Sequence, residues 1–108
     1  RHSRALMAQL TALIVSHDES FKRDLSKQIR AGGVPVGILD DARGGRTEPD
    51  LALVDLREDA AGGLAAIERL RATHAAAAIF AIAGSAEPQL ILQAMRAGAN
   101  EFFTWPPE

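Results

Sequence analysis

The sequence predicts an α/β protein built on a doubly wound parallel sheet of five strands. Short apolar runs without polar alternation recur along the chain, which is typical of strands buried on both faces. Segments with helical apolar periodicity lie between most of these runs. Strands that alternate with helices require right-handed crossovers, so the strands are expected to be parallel with helices on both faces. The 108 residues suit one domain with one core.

The first strand is followed by an amphipathic helix. Residues 12–15 form the first apolar run, and apolar side chains recur every fourth residue from Phe21, which predicts a helix over 21–31. Ser16 or Ser20 is expected to cap this helix, and Glu19 has the spacing from Ser16 that a capping box requires.

The second strand, predicted over 34–39, is expected at an edge of the sheet because Pro35 and Gly37 weaken it. The connection that follows, 40–48, is short and rich in glycine. A crossover between parallel strands normally takes a dozen or more residues. The second helix of the fold is therefore expected to be shortened.

The second half of the chain continues the alternation. The predicted elements are a strand at 51–55, a polar loop at 57–63, a helix at 64–73, a strand at 79–83, a helix opened by Glu87 and Pro88, and a strand at 101–103.

The strand at 51–55 ends on Asp55. Because the chemistry of open α/β sheets gathers at the carboxyl ends of their strands, Asp55 is either a reactive group, the remnant of one, or a cap for the next loop.

Composition excludes several classes of function. The net charge is −2, with 12 basic and 14 acidic residues interspersed, which argues against nucleic acid as a partner. There is no cysteine for a disulfide or a thiolate metal site, and no apolar run long enough for a membrane span. A cytoplasmic protein is expected, with residues 1–10 as an N-terminal arm or tag remnant and 11–108 as the domain.

Two motifs resemble the receiver domains of two-component response regulators. Residues 49–56, Pro-Asp-Leu-Ala-Leu-Val-Asp-Leu, resemble the phosphoacceptor strand, with Gly63 at the position of a family glycine. Residues 97–103, Ala-Gly-Ala-Asn-Glu-Phe-Phe, resemble another signature of the family. This block is most similar to the receiver-like domains that precede a ParA/MinD-type ATPase in the CpaE/TadZ pilus-assembly proteins. The resemblance implies a CheY-like fold in which Asp55 accepts phosphate from a histidine kinase.

The sequence departs from the family at four pocket positions. Ser16 and His17 stand where the family has two metal-binding acids, and the nearest acid is Asp18. Ala83 stands where the family has a hydroxyl, and Trp105 where it has a lysine. The lost hydroxyl and ammonium contacts are each worth roughly 1.5–3 kcal/mol.

These losses predict that Asp55 is a poor phosphoacceptor. No cofactor is expected to be required, and Mg²⁺ is expected to bind weakly, through Asp18 and Asp55. Ser85, two residues beyond Ala83, is a possible replacement for the missing hydroxyl. Arg57 is most simply a solvated loop charge; the alternative is that it folds back over Asp55 and replaces the missing cation.

Two further pocket positions leave alternatives open. His17 is interpreted as an exposed residue at the start of a helix, with a weak metal-binding or proton-sensing group as the alternative. Trp105 is expected to cover the former pocket, or else to contact a partner.

The predicted function is that of a divergent receiver acting as a signalling and protein-interaction module, not an enzyme. The chain stops before a fifth helix, so apolar surface near Ile82, Phe102 and Phe103 is expected to stay open. This predicts a homodimer, or docking onto an adjoining output or ATPase domain, with a histidine kinase as a further partner. The alternatives are a phosphorylation-competent receiver that uses Asp18, Asp55 and Ser85, a receiver-like localisation domain that precedes a ParA/MinD-type ATPase, and a nucleotide binder. The last of these has no motif in its favour, because the sequence lacks a glycine-rich phosphate loop.

Overall fold

The protein is described by a computed structural model that covers residues 10–33, 35–39 and 48–107. These residues form a five-stranded parallel sheet of order β2-β1-β3-β4-β5 and three helices. The elements are β1 (Leu10–Val15), α1 (Glu19–Ala31), β2 (Val36–Leu39), β3 (Leu51–Asp55), α2 (Ala60–Thr73), β4 (Ala78–Ala83), α3 (Pro88–Ala97) and β5 (Glu101–Thr104). The predicted fold class is confirmed, and β2 is an edge strand as expected. The connection at 40–47, where a shortened helix was predicted, lies outside the described residues.

The core lies on both faces of the sheet. One face packs against α2 and α3 through Val54, Ile67 and Ile79, which are buried completely. The other face packs against α1, where Phe21 and Leu25 cover the sheet. Because both faces are covered, the central strands consist of unbroken apolar residues, as the sequence pattern predicted.

The start of α1 differs from the prediction. Asp18, not Ser16 or Ser20, caps the helix, because its Oδ1 accepts a hydrogen bond from the backbone N–H of Phe21 at 3.1 Å. Ser16 lies two residues before the cap, and its Oγ accepts from the N–H of Asp18 at 3.0 Å. The capping box predicted between Ser16 and Glu19 is therefore wrong.

The start of α2 also corrects the sequence prediction. The helix begins at Ala60, within the predicted polar loop, because the Asp59 side chain accepts from the N–H of Gly62 at 2.9 Å. Gly63 lies in the first turn, where a Cβ would overlap Leu56 and approach the carbonyl oxygen of Asp55 to 2.8 Å. The absent side chain lets α2 pack directly on the end of β3.

Arg71, in the last turn of α2, holds the C-terminal end of this helix in place. The guanidinium of Arg71 donates to the carbonyl oxygens of Ala77 and Gly98 and to Oδ1 of Asn100, each at 2.8 Å. Asn100 in turn accepts from the N–H of Ile79 at 2.7 Å. These bonds join the turn before β4 to the turn before β5.

The predicted apolar surface is only partly open. Ile82 is 3% exposed, so its predicted exposure is wrong: it packs beneath α1 with Phe21 and Leu25. Phe102 is half-buried, whereas Phe103 is 47% exposed and stacks edge-on against Phe80. A groove of about 190 Å³ runs here between α1 and β5. We call it the α1–β5 groove; its lining includes Leu25, Leu53, Phe80, Phe103 and Trp105.

Within the described residues, no helix combines the length and the apolar character that a membrane crossing needs.

Candidate carboxylate site

The candidate site lies at the carboxyl edge of the sheet, where β1 and β3 end side by side. Val15 pairs with Val54, so the residues after β1 and the last residue of β3 are neighbours. Ser16 and Asp18 come from the loop after β1, and Asp55 and Arg57 from the end of β3 and the loop beyond it. Residues 39 apart in sequence therefore meet in one cluster.

Asp55 accepts four hydrogen bonds. Its Oδ1 accepts from the backbone N–H and from Nε of Arg57, both at 2.9 Å. Its Oδ2 accepts from Oγ of Ser16 at 2.6 Å and from Nη2 of Arg57 at 3.1 Å. A carboxylate offers about four lone-pair positions, so the acceptor capacity of Asp55 is filled.

Arg57 links two carboxylates through one nitrogen. Its Nη2 lies 3.0 Å from Oδ2 of Asp18 and 3.1 Å from Oδ2 of Asp55. Its guanidinium carbon also lies 4.1 Å from the centre of the Phe21 ring, which is a cation–π distance. Arg57 is therefore not a solvated loop charge: its side chain is 19% exposed and folds back on Asp55.

The cluster shifts the acid–base behaviour of its members. Burial raises the pKa of Asp55, but hydrogen bonds from Arg57 and Ser16 outweigh this and leave that pKa below its ordinary value. The N–H of Phe21 and the guanidinium of Arg57 lower the pKa of Asp18. Hydrogen bonds to Asp55, and secondly to Asp18, raise the pKa of Arg57. Both carboxylates are therefore ionised and Arg57 is charged at neutral pH.

A cavity of about 310 Å³ borders the cluster on the α2 side. Asp18 and Asp55 contribute to its wall, and Gly62 and Gly63 leave room for it. Exposed His17 also borders the cavity.

None of the remaining predicted pocket residues borders this cavity. Ala83 is 2% exposed within the core, and exposed Ser85 does not border the cavity. The hydroxyl that contacts Asp55 belongs instead to Ser16. Trp105 does not border the cavity either; it lines the α1–β5 groove and packs edge-on against Phe21, with ring centres 5.5 Å apart.

The donor set does not fit a divalent metal ion. Nη2 of Arg57 occupies the position between the carboxylates of Asp18 and Asp55 that a bridging cation would take. Across 10–33, 35–39 and 48–107, no group of three or more His, Cys, Asp or Glu side chains is placed to hold a metal. Mg²⁺ requires a near-octahedral set of oxygen ligands, and here a guanidinium takes up the carboxylate oxygens instead.

Two members of the cluster were not predicted as such from the sequence. Ser16 was interpreted as a departure from the family and as a possible helix cap, although its position after β1 was a signal that it faces the end of β3. Phe21 was recognised only as a core residue of α1, because its helical spacing gave no sign of the guanidinium above its ring.

No protein-family model matches the chain. The chain is similar to the C4-dicarboxylate transport transcriptional regulatory protein DctD of Pseudomonas aeruginosa, with 29% identity over 104 residues. This match covers 92% of the chain but only 22% of DctD, so the chain spans about a fifth of that protein's length.

Solved structures with the same fold include a CheY-like response regulator receiver domain protein from Methanospirillum hungatei. It is 19% identical, with a TM-score of 0.74 over 94% of this chain and 85% of that one. A putative pilus assembly protein, CpaE, from Burkholderia thailandensis is 24% identical, with a TM-score of 0.78 over 93% and 88% of the two chains.

The comparisons with solved structures show the fold: it is the fold of response-regulator receiver domains. The resemblance drawn from the sequence is confirmed, including the likeness to CpaE pilus-assembly proteins.

Proposed function

We propose that this domain is a protein-interaction and signalling module with a receiver fold, in which Asp55 is retained but is a poor phosphoacceptor. The observation that carries the proposal is the filled acceptor shell of Asp55, with three bonds from Arg57 and one from Ser16. An oxygen that attacks a phosphoryl group must first have a free lone pair.

Freeing one lone pair of Asp55 requires breaking a charge-assisted hydrogen bond. Such bonds contribute roughly 1.5–3 kcal/mol each, which corresponds to about one to two orders of magnitude in the population of reactive carboxylate. A free oxygen would then face neither the metal nor the lysine that the family resemblance implies, because Arg57 lies between the carboxylates and Trp105 replaces the lysine. Each absence lowers the phosphorylation rate further.

Exposed apolar side chains on α3 and β5 support a role in binding. Leu92 is 49% exposed and Met95 37% exposed on α3, and Phe103 is 47% exposed on β5. Exposed apolar patches on small domains mark association surfaces. We assign the exposed side chains of α3, Leu92 and Met95, to contact with a second copy of the domain or with an adjoining output or ATPase domain, in a cytoplasmic protein. The likeness to CpaE favours a receiver-like localisation domain before an ATPase.

The phosphorylation-competent alternative has less support. It requires Ser85 to stand in beside Asp55, whereas Ser85 is exposed and outside the cavity that borders Asp55.

Intact-mass measurement after incubation with acetyl phosphate and Mg²⁺ tests the proposal. We expect no stoichiometric phosphate adduct on this domain, while a phosphorylation-competent receiver treated in parallel is modified. A stoichiometric adduct that Asp55→Asn abolishes would overturn the proposal.

The association surface is tested separately by light scattering across a range of concentrations. We expect a mass above that of the monomer, and a return to the monomer in Leu92→Ser/Met95→Ser. Gln93→Ser, an exposed polar change on the same helix, is the matched control and leaves the mass unchanged. A monomer at all concentrations would contradict homodimerisation.

A further inference from the structure

We propose that Phe21 and Trp105 are positioning residues that hold the guanidinium of Arg57 as the permanent cation of the carboxylate site, and so couple that site to the α1–β5 groove. This inference rests on the proposed function, since it explains how Asp55 is kept occupied. The inference goes beyond the proposed function because it assigns roles to Phe21 and Trp105 and connects the carboxylate site with the α1–β5 groove.

The first step is the contact between Arg57 and Phe21. The guanidinium carbon of Arg57 lies 4.1 Å from the ring centre of Phe21, which is 3% exposed. A buried ring cannot move without disturbing the core, so it provides a fixed surface for the cation. A guanidinium is planar and weakly hydrated, which suits it for lying on a ring while its edge donates to carboxylates.

The second step is the contact between Phe21 and Trp105. Their ring centres lie 5.5 Å apart at an interplanar angle of 88°, a favourable edge-to-face arrangement. Trp105 is anchored by its backbone N–H, which donates to the carbonyl oxygen of Ala83 at 2.9 Å. Trp105 therefore supports the Phe21 ring from the end of β5.

Phe21 also acts through its backbone. Its N–H donates to Oδ1 of Asp18, while Oδ2 of Asp18 accepts from Nη2 of Arg57. One residue thus fixes both the ring beneath the guanidinium and the carboxylate beside it. Displacing Phe21 would loosen two of the constraints on Arg57.

The third step extends this chain of contacts to the surface. Trp105 lines the α1–β5 groove together with Leu25 and Phe103. Anything that moves the indole in the groove acts on Phe21, and through Phe21 on Arg57 and Asp55. The contacts run continuously from the groove to the carboxylate, and packed side chains and hydrogen-bond networks of this kind carry energetic coupling between sites.

The test measures the Arg57 side chain directly by NMR. In the unmodified domain we expect a slowly exchanging Arg57 Nε–H signal and a lowered carboxyl titration of Asp55. Phe21→Leu and Trp105→Leu are expected to shorten the lifetime of the Nε–H signal at least threefold and to shift the Asp55 titration upward. Trp105→Phe, which keeps an aromatic edge, is expected to retain most of the lifetime.

Phe102→Leu is the matched control, because it alters an aromatic of β5 that packs against the core beneath α2 and α3 and does not line the groove. We expect it to leave both signals unchanged. Equal effects from Phe102→Leu and Trp105→Leu, or no effect from Trp105→Leu, would overturn the inference.

A reciprocal measurement does not depend on altering the core. Trp105 is the only tryptophan in the chain, so its fluorescence reports on this end of the contacts alone. We expect Arg57→Ala to change its emission. Arg69→Ala, which alters an exposed arginine of the cavity beside Asp55, is expected to leave the emission unchanged. Identical spectra for Arg57→Ala and the unmodified domain would refute the coupling. A phosphate adduct on the unmodified domain would instead refute the proposed function, so the two failures are distinguishable.

Discussion

The guanidinium of Arg57 donates two parallel hydrogen bonds to the carboxylate of Asp55, which lies two residues earlier in the chain. Nε donates to Oδ1 at 2.9 Å, and Nη2 donates to Oδ2 at 3.1 Å. Such bidentate pairs are the strongest form of arginine–carboxylate contact. The pair is largely buried, with 8% of the Asp55 side chain and 19% of the Arg57 side chain exposed. It closes the edge of the sheet where a receiver would present a reactive oxygen.

Removing Arg57 should destabilise the fold because Asp55 then keeps its charge with fewer partners. We expect Arg57→Ala to lower the free energy of unfolding by about 1.5–3 kcal/mol in urea titrations. In a double-mutant cycle with Asp55→Asn, the coupling energy should be about 0.5–3 kcal/mol. Arg69→Ala serves as the exposed control, with a change within about 0.5 kcal/mol. Strict additivity of the two single changes would show that the pair contributes nothing.

The hydroxyl of Ser16 should contribute more to the free energy of unfolding than the hydroxyl of Ser85. Ser16→Ala removes the donor to Asp55 and the acceptor for the N–H of Asp18. We expect a loss of about 1–3 kcal/mol in unfolding free energy and a higher pKa of Asp55 by carbon-13 NMR. Ser85→Ala should change stability by less than about 0.5 kcal/mol, because this side chain is exposed. The reverse order of effects would support the Ser85 site instead.

Glycine is required at position 63 but not at position 84. A Cβ at Gly63 would overlap Leu56, whereas one at Gly84 has no neighbour within 4 Å. Overpacking typically costs about 1–3 kcal/mol, so Gly63→Ala should lower the thermal midpoint and broaden the amide signals around Asp55. Gly84→Ala should leave both near their original values. Tolerance of alanine at 63 would mean that α2 does not need its close approach to β3.

Stability should fall in acid because of the two carboxylates. The folded-state pKa values of Asp18 and Asp55 lie below the ordinary value of 3.8. Their stabilisation is therefore fully present above the unfolded-state pKa and is lost as the pH falls through the folded-state values. We expect urea midpoints to be steady between about pH 7 and pH 5 and to drop below about pH 4. Asp55→Asn should flatten this drop, and an unchanged profile in that variant would contradict the lowered pKa.

Magnesium should not stabilise the unmodified domain. A ligand that binds only the folded state raises its stability in proportion to the logarithm of ligand concentration over Kd. With Arg57 between the carboxylates, we expect no shift of the thermal midpoint at millimolar Mg²⁺. In Arg57→Ala, Mg²⁺ should raise the thermal midpoint, and adding Asp18→Asn to that variant should abolish the increase. A magnesium-dependent shift in the unmodified domain would show that the guanidinium does not exclude the ion.

Much of the fold could be predicted from the sequence because strand burial and helical periodicity are local patterns. The apolar run 51–54 indicated a buried strand, and it is one. The helix starts were harder to predict, because Ser16, Asp18 and Ser20 are all suitable caps and only their neighbours distinguish them. Oγ of Ser16 accepts from the N–H of Asp18, before the helix begins, and Asp18 accepts from the N–H of Phe21 and so caps the helix.

The candidate site shows the same division. The sequence alone determined that a carboxylate stands at the end of a buried strand and that Arg57 is close enough in the chain to reach Asp55. The resemblance to receivers added that Ala83 and Trp105 stand where those domains have a hydroxyl and a lysine. Only the tertiary structure decided that Arg57 does so, because the choice between a solvated and a paired guanidinium depends on Asp18 and Phe21, more than thirty residues away. Parallel strand pairing brings those partners together, and the resulting desolvation and ring contact determine where the charge lies.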